Sequence, residues 1–252
     1  MKSFSLILRL APIVAVLLLT PFVSMADEIR VAVASNFVGT MKVLVNEFES
    51  NAEHRVILIP GSTGKHYAQI VNGAPFDLFF AADAKRPELL DTQNLVESSS
   101  RFTYAIGKLV LWSALEGVID SEGKVITGGN FSYLALANPK LAPYGKAAKE
   151  VIGAKGVWDA LQGKLVKGEN VAQTYQFVDS GNAELGFVSY SQIIKSGEVT
   201  KGSHWIVPEN LYSSIEQQAV LLKNNEAARA FLIYVKSDEA LEIIQSFGYG
   251  TP

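Results

Sequence analysis

Residues 76–83 read FDLFFAAD, and the Leu78-Phe79-Phe80 triplet is apolar on both faces of an extended chain. Such a strand must be covered on both sides, the condition met by a parallel sheet held between two layers of helices. The preceding sequence supplies the layers. IRVAVA (29–34) alternates Ile29, Val31 and Val33 with other residues, and FVGTMKVLVNEFES (37–50) then places Phe37, Met41, Leu44, Val45 and Phe48 at helical spacing. RVILIP (55–60) reads as a second strand and KHYAQIVNG (65–73) as a short helix stopped by Gly73, so residues 29–91 read as a doubly wound α/β layer.

The run FTYAIGKLVLWS (102–113) is too long for an ordinary strand and is interrupted at Gly107, which predicts a crossing into a second lobe. There YLALAN (133–138) precedes a Pro-Tyr-Gly turn and the helix KAAKEVIG (146–153), NVAQTYQFVDSG (170–181) reads as a helix, and AELGFVSYS (183–191) as a strand. SIEQQAVLL (214–222) is a further extended stretch, followed by helices over 225–237 and 238–248. The expected fold class is α/β: two doubly wound α/β lobes joined by two extended hinge crossings, with a ligand cleft between them where strand ends meet helix starts. Lobe I is expected to comprise residues 27–107 and 217–252, and lobe II residues 108–216.

The first 26 residues are set apart. They open with Lys2, carry Arg9 before an apolar stretch from Leu10 to Leu19, and end in Ser24-Met25-Ala26, the pattern of a secretory signal peptide. Pro12, Thr20 and Pro21 confine the apolar run to fewer than the roughly 20 residues a membrane span needs. Cysteine is absent, which excludes disulfides, a catalytic thiol and a lipidated N-terminal cysteine. Removing Lys2 and Arg9 from the 22 basic residues leaves 20 against 25 acids, a net charge of −5 for the mature chain. That sign and the lack of a basic cluster disfavour nucleic acid and anionic membranes as partners, and the expectation is a free periplasmic protein with a small-molecule ligand.

IPGSTGKHY (59–67) has the look of a phosphate loop and fails the test for one. A P-loop needs G-x-x-x-x-G-K-[ST], but Ile59 stands five before Gly64, and His66 follows Lys65 where a Mg²⁺-binding hydroxyl is required. What remains is a strand end, small residues that expose backbone N–H groups, two hydroxyls, and a helix N-terminus with partial positive charge. The same arrangement occurs where Ser35 and Asn36 join the first strand to the first helix, and two further helix starts fall at Tyr144 and Val171. Four N-termini converging on one cleft would bind a small multivalent anion through neutral donors.

The blocks VAVASNF, GSTGKHYAQIVNGAPFDLFFAAD, PYGKAAKEVI, NVAQTYQFVDSGNAELGFV and SFGYG, in that order, resemble the periplasmic molybdate-binding proteins of ABC transporters. The resemblance covers nearly the whole mature chain. It implies a type II periplasmic binding fold, monomeric as such carriers generally are, that closes on molybdate or tungstate and delivers it to a membrane permease. It places ligand donors at Ser35 and Asn36, at Ser62 and Thr63, at Tyr144 through its backbone N–H and its phenol, and at Val171 through its backbone N–H. Some members use a tyrosine hydroxyl where this chain has Ser189, so Ser189 reaches the ligand through water or not at all.

Other chemistries find little support. Lys65 reads as a solvated lysine rather than a ligand, and Asp83 as a cap for the helix that follows. His54, His66 and His204 have no metal-ligand spacing, so neither a metal site nor a cofactor is expected. No G-x-S-x-G elbow or other nucleophile motif argues for an exported enzyme. Sulfate, phosphate or a small organic acid remain alternative ligands for the same fold, an acidic residue in the cleft favouring phosphate and an arginine favouring a carboxylate.

Overall fold

The computed structural model describes residues 28–195 and 197–252. The expected signal peptide, residues 1–26, lies outside them. Two five-stranded sheets form two lobes, each with helices on both faces.

In the first lobe, β1 (Glu28–Ala34) leads through a 3-10 turn (Ser35–Phe37) into α1 (Val38–Asn51); β2 (Arg55–Gly61), α2 (Thr63–Val71), β3 (Leu78–Phe80), α3 (Lys85–Thr92) and β4 (Phe102–Gly107) follow. The chain then enters the second lobe with β5 (Leu109–Ser113), α4 (Val125–Gly128), β6 (Leu134–Ala137), α5 (Pro143–Ala154), α6 (Trp158–Leu161), β7 (Leu165–Gly168), α7 (Val171–Asp179), β8 (Leu185–Ser189) and α8 (Tyr190–Ile193). A small hairpin of β9 (Ile194–Lys195) and β10 (Glu198–Val199) precedes β11 (Ser203–Ile206). The return is made by β12 (Ile215–Leu221), and α9 (Glu226–Val235) and α10 (Asp238–Ser246) complete the first lobe.

Strand order is β2-β1-β3-β12-β4 in one sheet and β7-β6-β8-β5-β11 in the other. The fourth strand of each runs antiparallel to its neighbours. In both cases it is the strand that has just arrived from the other lobe: β4 passes into β5 through Lys108 alone, and β11 passes into β12. The sheets are therefore mixed where a parallel layer was expected, because a strand entering from across the cleft meets the sheet from the opposite end.

The Leu78-Phe79-Phe80 triplet behaves as its composition requires. Leu78 and Phe80 face a core built with Val31, Val33, Phe37, Met41 and Leu44, while Phe79 faces the opposite one with Ala32, Ile70 and Leu90. Helix α2 starts at Thr63, two residues ahead of the apolar spacing, and stops where Gly73 takes a left-handed φ of 81°. Of the strands that periodicity missed, β7 and β11 are edge strands, and their partly exposed faces dilute the apolar signal.

Phe80 is fully buried between Phe37, Tyr104 and Phe231, with ring centroids 6.5, 5.2 and 6.3 Å away. Phe80→Ala should cost about 3–5 kcal/mol by cavity formation, read as a lower urea midpoint for the chain from Asp27 onward; a loss below about 1 kcal/mol would contradict this packing.

Candidate anion-binding site

Parallel pairing sets the strand ends side by side. Ala34 of β1 is in register with Gly61 of β2, and Ala137 of β6 with Gly168 of β7. Each of these strands runs into a helix, so the starts of the Ser35–Phe37 turn and of α2 face the starts of α5 and α7 across the cleft. Between them lies a small cavity lined by Ala34, Ser35, Asn36, Gly61, Ser62, Thr63, Ala82, Ala142, Pro143, Tyr144, Asn170 and Val171. No charged side chain lines it, and about 10 Å³ is open to the centre of a water-sized sphere.

The candidate donors are prepared one by one. Ser62 occupies the N-cap position of α2, where a serine hydroxyl ordinarily accepts from the first turn, yet its side chain makes no capping bond. Its backbone carbonyl takes that turn instead, accepting from Lys65 N and His66 N at 3.0 Å each. The Ser62 hydroxyl is left buried without a partner in the protein, a costly arrangement for a protein without a ligand at that point. Thr63 Oγ1 accepts from Ala82 N at 2.9 Å, which fixes its rotamer and leaves its own proton to donate. Pro143 stands at the first position of α5, so Tyr144 supplies that helix's first N–H, and Val171 supplies the first of α7 behind its Asn170 cap.

The side chains of Asn36 and Tyr144 are committed elsewhere than expected, and Ser189 stands back from the cavity, one of the two outcomes its position allowed. Asn36 lines the cavity, but its Nδ2 group donates to Gln217 Oε1 (2.8 Å) and Tyr249 Oη (3.1 Å), so its side-chain donors are committed to the interior. The Tyr144 phenol is fully buried against the crossing at Gly107, where it accepts from Ser189 Oγ at 2.9 Å, so α5 addresses the cavity through its backbone. Ser189 itself does not line the cavity; its hydroxyl caps α8 and sits behind Tyr144. Ser35 lies on the wall, half-buried.

The family model described as bacterial extracellular solute-binding protein matches residues 29–250. The chain belongs to that family. It is 50% identical over 228 residues to the molybdate-binding protein ModA of Azotobacter vinelandii, covering 89% of this chain and 90% of that one. It is 45% identical over 230 residues to ModA of Rhodobacter capsulatus, covering 90% and 89%. The solved structure of the Azotobacter vinelandii periplasmic molybdate-binding protein superposes with a TM-score of 0.86 at 44% identity, over 89% of this chain and 99% of that one.

Solute-binding proteins of two lobes work by closure, and here the lobes touch across the cleft. Gly64 N donates to Leu141 O at 2.8 Å, and a Cβ on Gly64 would fall 2.9 Å from that oxygen, so the approach needs glycine at this position. Arg86 Nη2 donates to Lys140 O at 3.1 Å. Lys65, which sequence reasoning left solvated, pairs with Glu169 of the other lobe at 3.1 Å; both side chains are about half exposed, so the pair is worth under about 1 kcal/mol. Asp83 accepts from Arg86 N at 3.0 Å and so caps the first turn of α3, as expected. Gln217 and Tyr249 were given no role in the sequence, although a Gln-Gln pair inside an otherwise apolar strand is a signal that polar partners await it.

No group of acidic, histidine or cysteine side chains suited to a metal occurs among the described residues, and none of the described helices is long and apolar enough to cross a membrane. His66 is the one histidine close to the site. Its ring lies under Gly61, edge-on to Phe76 and Phe79, with Nδ1 3.2 Å from Gln69 Oε1 and Nε2 without a partner. Burial holds its pKa below the ordinary value of 6.5. The unfolded chain therefore binds this proton more readily than the folded one, and stability falls as pH drops below about 6.5 toward the lower folded value. The melting temperature of the unliganded protein should fall between pH 7.5 and 5.5 by more than that of His66→Gln; equal slopes in the two proteins would remove His66 as the cause.

Proposed function

We propose that this chain is an exported carrier that captures molybdate, and tungstate as well, in the cleft between its lobes and delivers it to an ABC transporter permease. Residues 1–26 act as the cleaved signal, and the mature chain works in the periplasm as a monomer, as cargo carrier rather than enzyme, with no resident cofactor. The observation that carries the reading is the buried, unpartnered Ser62 hydroxyl in an uncharged cavity at four helix starts. The relatives named as molybdate-binding proteins, at up to 50% identity, support the choice of oxyanion.

The donor set favours a fully ionised tetrahedral dianion. Phosphate near neutral pH keeps a proton that needs an acceptor, and no carboxylate lines the cavity. A small organic acid would favour an arginine; the nearby Arg86 is turned to Asp83 and Lys140 O instead. Sulfate is smaller than molybdate and leaves donors unpaired when the lobes close to the same separation. Tungstate matches molybdate in size and charge. The uncharged lining also argues against catalysis, since it offers neither a base nor a nucleophile with an activating neighbour.

A thermal melt of the chain from Asp27 onward tests the ligand. At about 100 times the dissociation constant, molybdate or tungstate should add roughly 2.7 kcal/mol, a rise of about 5 to 11 °C, with no rise in sulfate or phosphate. No shift with any of the four would overturn the reading. Ser62→Ala separates binding from folding: it should weaken molybdate binding by about 1–3 kcal/mol while leaving the unliganded protein as stable or slightly more so, because a buried unpaired hydroxyl is removed. Thr63→Ala should lose affinity and stability together, since Ala82 N then lacks its acceptor. Calorimetric titration of both variants checks these signs, and unchanged affinity in both would move the site elsewhere.

A further inference from the structure

Behind the anion cavity, at the point where the chain crosses between lobes, seven polar side chains form one network, buried except for the half-buried Ser191. From the first lobe come Asn36, Tyr104, Gln217 and Tyr249; from the second, Tyr144, Ser189 and Ser191. Gln217 Oε1 accepts from Asn36 Nδ2 at 2.8 Å and from Tyr104 Oη at 3.2 Å, while Gln217 Nε2 donates to Tyr144 Oη at 3.4 Å. Tyr249 Oη donates to Asn36 O at 2.9 Å and pairs with Ser191 Oγ at 2.8 Å. Ser191 Oγ also reaches Asn36 O (3.2 Å) and Ser189 Oγ (2.8 Å), which in turn donates to Tyr144.

Two features make this more than core filling. First, the bonds from Ser191 to Tyr249 Oη and Asn36 O, and the Gln217–Tyr144 bond, join groups on different lobes, so they exist only at the separation seen here. Second, the network includes Asn36 and Tyr144, which are also walls of the cavity, one from each lobe. Burial raises the pKa values of Tyr104 and Tyr144 well above the ordinary phenol range and that of Tyr249 to about 12, so all three phenols keep their protons in the periplasmic pH range. The Tyr249 ring is held against Phe37 with centroids 5.3 Å apart, and its strand end is pinned by paired backbone bonds between Gly250 and Ile106 at 2.6 and 2.9 Å. The hydroxyl is thus presented to the second lobe from a fixed position.

We infer that Tyr249 and Ser191 form a latch on the closed state, holding the two cavity walls together from behind, so that the lifetime of the bound oxyanion depends on residues that do not touch it. They are positioning residues of closure. The inference rests on the proposed carrier function for its ligand and on hydrogen-bond geometry alone for its mechanism.

The test uses the chain from Asp27 onward as Tyr249→Phe, Ser191→Ala and the double variant. Stopped-flow kinetics with molybdate should show dissociation about three- to tenfold faster in each single variant, with association changed less than about twofold. The double variant should dissociate no faster than the faster single one, because both changes break the same interlobe bond; a residue of merely structural value would give multiplying effects. The opening equilibrium is read without ligand. The chain has no cysteine, so spin labels on Glu88→Cys of α3 and Gln176→Cys of α7, both exposed, report the interlobe distance, which should shift toward longer values in Tyr249→Phe and Ser191→Ala. Unchanged dissociation, or unchanged distance distributions in both variants, would overturn the latch. Should the unsubstituted chain fail to bind molybdate while the distances shift as expected, the ligand reading falls and the latch stands. Should Tyr249→Phe fail to fold, the half-buried Ser191→Ala carries the same two readouts.

Discussion

A dianion taken from water must recover its hydration from the protein, or it does not bind. In the proposed site the replacement is made of N–H and O–H dipoles already fixed by secondary structure, and no lysine or arginine lines the cavity. The helix starts cost nothing extra to aim, because the first turn of any helix has N–H groups that its own carbonyls cannot reach. What the sequence must add is restraint: a serine at the N-cap of α2 that does not cap, a threonine pinned by Ala82 N, and a proline that passes the first free donor of α5 on to Tyr144. The remote acids that give the chain its negative charge matter little at this depth, since ionic screening ends their reach within about 8–10 Å of solution.

The same requirement explains why the protein has two lobes. A tetrahedral anion presents acceptors in all directions, whereas one sheet edge presents donors from one side only. Two sheets whose carboxyl ends face each other solve the geometry, and the shared strand order, with the antiparallel fourth strand delivered by each crossing, turns both carboxyl edges inward. Closure then brings backbone to backbone at Gly64 and Leu141, an approach that any side chain at position 64 would obstruct.

Much of this was legible in the sequence because it rests on local patterns. The doubly buried Leu78-Phe79-Phe80 triplet, the 3.6-residue spacing of Phe37, Met41 and Leu44, and the small residues at strand ends each state their structural role within a few positions. The cavity residues Ser35, Asn36, Ser62, Thr63, Tyr144 and Val171 were found for the same reason: each sits at a strand-to-helix junction. What could not be read was which donors were already spent. Asn36 turns its amide inward to Gln217 and Tyr249, partners 181 and 213 residues away, and Lys65 finds Glu169 at a separation of 104. Edge strands β7 and β11 escaped because half-exposed strands carry half the pattern.

Neutral donors also suit a protein whose task includes release. A lysine or arginine in the cleft would hold a dianion from one lobe alone, and opening would leave the ion attached to it. Hydrogen-bond donors divided between lobes behave differently: each half-site is weak, and the anion is held firmly only while both act together. Affinity then becomes a property of the closed state, and whatever separates the lobes discharges the cargo. In that arrangement the strength of the interlobe contacts matters as much as the strength of the donors. The hydroxyl network around Tyr249, joined to both cavity walls, is where the fold can set that strength without altering the surface the anion meets.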